Sequence, residues 1–144
     1  MDIFHYLSDK TISFGESFNT WQEYITYAGE LLEKEKFTNH KYTEDMIKLV
    51  YEEGPYIVVT PGLALAHARP NGNVNKNSMS LVVSKKGVKF GHDTNDPVYV
   101  LFAIAACSDD EHLKLFQAVA EYLSETSVEN IIKAKRIDDL SAQL

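Results

Sequence analysis

The sequence predicts an α/β fold, a three-layer α/β/α sandwich with a mixed central sheet. Three observations carry that prediction. Segments of strand and helix character follow in the order strand, two helices, three strands, three helices. The run from Val98 to Cys107 is apolar at nearly every position, so a strand there needs a layer on each face. Lys85-Lys86-Gly87 reads as a hairpin-like turn between strands, which argues against an all-parallel sheet.

The elements are justified in chain order. Thr11 to Phe14 forms a short first strand. Thr20 and Glu23 have capping-box spacing and open a helix. Its apolar positions Trp21, Tyr24, Ile25, Ala28, Leu31 and Leu32 recur at helical spacing. Thr43 is read as the cap of a second helix, with Glu44 and Asp45 favourable in its first turn. Met46, Ile47, Val50 and Tyr51 form its inner face, and Gly54-Pro55 stops it. Tyr56 to Thr60 and Ser78 to Ser84 are strands by their β-branched content, and Val88 to Phe90 extends the second of them beyond the turn. Pro97 to Ala106 is the central strand. Ser108 and Glu111 make another capping box, followed by Leu113, Leu115, Phe116, Val119, Ala120 and Leu123 as the apolar stripe of a helix. A shorter helix runs from about Val128 to Lys135, and the tail holds one more turn.

Composition bounds the function. One domain spanning residues 1–144 is expected, and a chain of that size has enough residues for a core without staples. The net charge of −7 argues against nucleic acid, whose phosphates would be repelled, and favours a partner with a basic face. The single cysteine, Cys107, excludes an internal disulfide and a cysteine-rich zinc site, and its place at the end of an apolar strand predicts a small buried hydrophobe. No signal peptide is visible and no run approaches the ~18 apolar residues of a membrane span, so a cytoplasmic protein is expected.

Missing motifs narrow the chemistry further. There is no phosphate-binding P-loop, no dinucleotide-binding Gly-x-Gly-x-x-Gly and no Gly-x-Ser-x-Gly elbow. No nucleotide or other cofactor is expected. What remains is His67, in Pro61-Gly62-Leu63-Ala64-Leu65-Ala66-His67-Ala68-Arg69-Pro70. Small neighbours leave its ring accessible and Arg69 stands two residues away. Two readings are open: a structural histidine in a turn, or a nucleophile with one nitrogen free and the other bonded to a carbonyl. For the second, Arg69 and the loop amides of Ala66 to Ala68 are candidate anion donors. His112, about the fourth position of its helix, is either a solvated first-turn residue or a donor helping to hold an anion. His92 lies in a turn, and a metal site built from His67, His92 and His112 has no recognised ligand spacing, so no metal is expected.

These residues carry a resemblance. With Phe14 to Ser17, Gly54 to Val59, Ser80 to Val83, Phe90 to His92, Asn95 to Ala103 and Glu111 to Leu113, the Pro61–Pro70 segment resembles the enzyme IIA components of the bacterial phosphoenolpyruvate-dependent sugar phosphotransferase system. The superfamily is the fructose–mannitol one and the branch the ascorbate type. The resemblance implies a phosphotransferase whose histidine, here His67, takes a phosphoryl group from the phosphocarrier protein HPr. That group then passes to a cysteine of the IIB component, which phosphorylates sugar entering through the membrane component IIC. The resemblance implies that His112 stabilises the phosphohistidine and that neither metal nor cofactor takes part. A regulatory protein of the same fold, phosphorylated but reporting to a target protein, is the alternative. Two departures stand out. Ala66 replaces the proline that usually precedes the histidine, which loosens a loop. The second helix lacks the arginine of mannitol-type members, leaving Arg69, or Lys48 if it faces the site, as substitutes.

Overall fold

A computed structural model describes residues 2–141. After a single 3-10 turn at Ile3–His5 come β1 (Ile12–Glu16), α1 (Trp21–Lys34), α2 (His40–Glu53), β2 (Val58–Thr60), β3 (Leu63–His67), β4 (Ser78–Val88), β5 (Val98–Ala105), α3 (Asp109–Glu125), α4 (Val128–Lys133) and α5 (Ile137–Ser141). The sheet has five strands in the order β1-β4-β5-β3-β2. It is mixed: β1 is parallel to β4 and β3 to β5, while β4–β5 and β2–β3 are antiparallel.

The central strand behaves as its composition requires. Along β5 the side chains alternate between two cores: Leu101, Ala103 and Ala105 face the layer with α1 and α2, whereas Val100, Phe102 and Ile104 face the layer with α3, α4 and α5. That period of two, apolar on both sides, makes the sandwich. The expected three-layer α/β architecture is what the chain adopts. Among the described residues no helix is long and apolar enough to cross a membrane.

Several local expectations are corrected. The strand starting at Tyr56 begins only at Val58, and the segment beyond Pro61-Gly62 forms a further strand, β3, where a loop was expected. This strand pairs antiparallel with β2 across the two-residue Pro61-Gly62 connection and parallel with β5 on its other side. Lys85-Lys86-Gly87 is not a turn. β4 runs through it to Val88, which pairs with Val98 after an irregular stretch following Val83. Gly87 answers a close approach there: a Cβ would lie 2.6 Å from Cβ of Pro97. Thr20 and Ser108 cap α1 and α3 as read, but α2 starts earlier, capped by Asn39. Thr43 is buried inside α2, and its hydroxyl donates to the Glu33 carboxylate at 2.6 Å, tying α2 to α1. Cys107 is exposed rather than buried, since the chain leaves β5 before it.

Candidate active site

His67 is the last residue of β3. Strand alternation decides where it points. Leu63 and Leu65 belong to the core on the α3 side and Ala64 and Ala66 to the opposite one, so His67 falls on the α3 side. The parallel register sets it beside Ile104 of β5. Ala66 pairs with Ala103 and His67 with Ile104, so the residue before the histidine is a buried strand position and not part of a loop.

Both ring nitrogens have a partner. Nδ1 lies 2.8 Å from the carbonyl oxygen of Leu65. A carbonyl only accepts, so Nδ1 carries the hydrogen and Nε2 keeps its lone pair. The Tyr56 hydroxyl sits 3.2 Å from Nε2. Burial lowers the His67 pKa from its ordinary value, and the Leu65 carbonyl opposes this. The nucleophilic form is therefore the resting form near neutrality.

His112 is the fourth residue of α3. Its ring centroid is 5.3 Å from that of His67, and Phe116, one helical turn further on, contacts both rings at 4.8 and 5.0 Å. Burial lowers the His112 pKa, the charge of His67 adds to this and Asp109 opposes it. Nε2 of His112 is buried with no hydrogen-bond partner. A buried polar atom left unpaired costs about 1–3 kcal/mol. A polar partner brought within reach of that atom would remove the cost.

The two histidines open into a hollow of about 490 Å³, lined also by Leu49, Glu53, Tyr56 and Arg69. Arg69 is its one cationic side chain. Lys48 lines a separate hollow on the other side of Arg69 and pairs with Glu52 at 3.7 Å, so it does not stand in for the absent arginine. One anticipated donor is also taken: the Ala68 N–H donates to the Tyr42 hydroxyl at 3.1 Å. That hydroxyl in turn donates to the carbonyl of Ile104, the register partner of His67. Tyr42 thus fastens the backbone that follows the histidine.

The remaining candidates separate cleanly. His92 accepts from the N–H groups of Thr94 and Asn95 through Nδ1, within its own turn. Among the described residues no three histidine, cysteine, aspartate or glutamate side chains gather to hold a metal. The structure places His67, His112 and Arg69 on the wall of one hollow. It adds Tyr56, Phe116 and Glu53, which sequence reasoning missed. The β-branched run predicts Tyr56 inside a strand, whereas it stands on a turn; its position directly after the Gly54-Pro55 stop is the signal for that.

Comparison with known proteins points one way. The family model for the phosphoenolpyruvate-dependent sugar phosphotransferase system, EIIA 2, matches residues 5–144. The ascorbate-specific PTS system EIIA component of Escherichia coli (strain K12) is 38% identical over 104 residues, 72% of this chain and 68% of that protein. The solution structure of the Escherichia coli mannitol-specific cryptic phosphotransferase enzyme IIA CmtB is 30% identical, with a TM-score of 0.87 over 99% of this chain and 97% of its own. A chain from the complex of enzyme IIAMtl and phosphorylated enzyme IIBMtl of Escherichia coli shares the fold, with a TM-score of 0.84 at 22% identity over 95% of each chain.

Proposed function

The chain belongs to the EIIA 2 family of the phosphoenolpyruvate-dependent sugar phosphotransferase system, and from that premise we propose that His67 is its phosphoryl carrier. Nε2 accepts the group from HPr and surrenders it to a cysteine of a IIB component, in the cytoplasm, for uptake through a membrane IIC component. The ascorbate-specific name of its relative makes ascorbate, or a sugar acid like it, the proposed cargo.

The observation that carries this reading is the Nδ1–Leu65 hydrogen bond at 2.8 Å. It holds one tautomer and turns the Nε2 lone pair toward the hollow. Attack by Nε2 forms the new N–P bond while the N–P bond of the donor breaks, and that electron pair returns to the donor's nitrogen. The Nδ1 proton stays in place, so the phosphorylated ring is an imidazolium whose positive charge the Leu65 carbonyl stabilises. A cationic ring is a good leaving group. When the IIB thiolate attacks phosphorus, the electron pair of the broken bond goes back to Nε2. Nothing else need be covalently rearranged, so the site's work is positioning and charge stabilisation. Arg69 offers the cation, and the unpaired Nε2 of His112 offers a polar partner for a phosphoryl oxygen. Partnership with IIB is supported by the complex in which a protein of the same fold is held against phosphorylated IIB.

The test is a relay of labelled phosphoenolpyruvate, enzyme I, HPr and candidate IIB proteins. Wild-type protein takes label and passes it to an ascorbate-type IIB. His67→Ala takes none, and His112→Ala folds but transfers slowly. Undiminished labelling of the His67→Ala protein overturns the assignment, and label that never moves on to any IIB removes the transporter role.

A further inference from the structure

We propose that Tyr56 is a catalytic residue of this transfer, its hydroxyl shielding the Nε2 lone pair of resting His67 and then donating to a phosphoryl oxygen once phosphorus occupies that nitrogen. The inference rests on the reading of His67 as carrier and goes beyond it, to a residue that touches the reacting atom.

Three observations on the molecule lead there. The Tyr56 oxygen lies 3.2 Å from Nε2, and Nε2 in this tautomer has only a lone pair to offer, so the phenol must be the donor. The rings meet edge to face, with centroids 5.8 Å apart, so the phenol reaches the nitrogen without stacking on the imidazole. Tyr56 is also half exposed, on the turn between Gly54 and β2, with its side chain against no core layer. Admitting phosphorus along the lone-pair direction requires the hydroxyl to shift aside, and packing in neither core opposes that shift.

Chemistry supplies the second half of the role. Burial and the Glu53 carboxylate push the phenol pKa upward, against Arg69, so the group keeps its proton at neutral pH and remains a donor. A phosphoryl group on Nε2 places its oxygens in the shell around that nitrogen which the hydroxyl already occupies. The bond Tyr56 loses to the lone pair is replaced by a stronger one to an anionic oxygen. The exchange favours the transition state over the resting state, which is what a catalytic contact requires. It also answers a deficit of the site: Ala68 N–H is bonded to Tyr42, Glu53 is negative, and Arg69 is the one cation on the wall. Donors to the incoming oxygens are scarce, and Tyr56 is placed to be one. No proton leaves the phenol at any point, so the transfer balances as written above.

Tyr56→Phe keeps the ring and removes the hydroxyl, and rapid-quench single-turnover transfer from phosphorylated HPr reads the effect. The expected result is a rate at saturating donor lowered about 10- to 100-fold, the range for losing one hydrogen bond to a charged group, with the half-saturating donor concentration nearly unchanged. The thermal midpoint of the variant stays at the wild-type value. A Tyr56→Phe protein that matches wild type in rate overturns the inference. So does a loss confined to the half-saturating concentration, which makes Tyr56 a docking contact. In both cases wild-type labelling on His67 stands, so failure here is distinct from failure of the carrier assignment, which shows as label surviving His67→Ala.

Discussion

His67 is kept uncharged by position more than by partners. Its ring is mostly enclosed by β3, Tyr56, His112 and Phe116, and enclosure disfavours the imidazolium. The sign of the resulting pH dependence follows. A pKa below the ordinary 6.5 means that the unfolded chain takes up the proton first as the solution is acidified. Stability from the uncharged ring is therefore complete above 6.5 and is lost as pH falls through the lower folded value. His112 shifts in the same direction and adds to the effect. Proton NMR titration of the native protein should give a His67 midpoint below 6.5, and a midpoint above it contradicts the enclosure argument. On the proposed carrier role, the lone pair is available at neutral pH, so acceptance does not wait on deprotonation.

At the scale of the element, α3 matters because its first turn carries His112. Ser108 ends β5's departure with an extended backbone and accepts a hydrogen bond from the Glu111 N–H at 3.3 Å. Asp109, Asp110 and Glu111 then place negative charge where the helix dipole favours it. Ser108→Ala should cost about 0.5–2 kcal/mol of stability by loss of the cap. The same change frays the turn that holds His112 against His67, so transfer should slow while His67 is still labelled to completion. Denaturant melts paired with single-turnover rates check both; an unchanged midpoint makes the cap energetically idle. β3 shows the complementary case. It is short, with the burial of a core strand along its length until the last residue, and it ends by delivering a polar ring to the open end of the sheet.

Across the whole molecule, the site depends on a contact that joins both layers. Tyr42 rises from α2 on one face, and its buried hydroxyl reaches through the end of the sheet to Ala68 N and the Ile104 carbonyl. Ile104 itself points into the opposite core beside the α3 layer. One phenol thus links α2, β3 and β5 at the point where His67 leaves the sheet. Tyr42→Phe leaves a buried N–H and a carbonyl unpaired, at about 1–3 kcal/mol. For a chain of this size the thermal midpoint should drop by several degrees, and the His67 ring signals should broaden as its backbone loosens. An unshifted midpoint means water replaces the hydroxyl and the clamp is dispensable. Burial already forces this phenol's pKa far up, so it acts as a neutral donor and never as a titrating group.

By itself the order of residues determined the class of fold, the caps at Thr20 and Ser108, the two-faced central strand and the candidacy of His67, His112 and Arg69. Each of these is local: a period, a cap spacing, or a motif read within a few neighbours. Tertiary structure alone decided that Leu63–His67 is a strand, because its identity comes from pairing with β5, 37 positions later (Leu63 with Val100). It likewise decided that Gly87 is there for the proximity of Pro97 and that Tyr56 faces Nε2. Ring-to-ring contacts between residues distant in the chain are set by register and layer packing, and no local pattern encodes them. The choice of nucleophilic nitrogen belongs to the same class, since it required seeing which atom the Leu65 carbonyl meets.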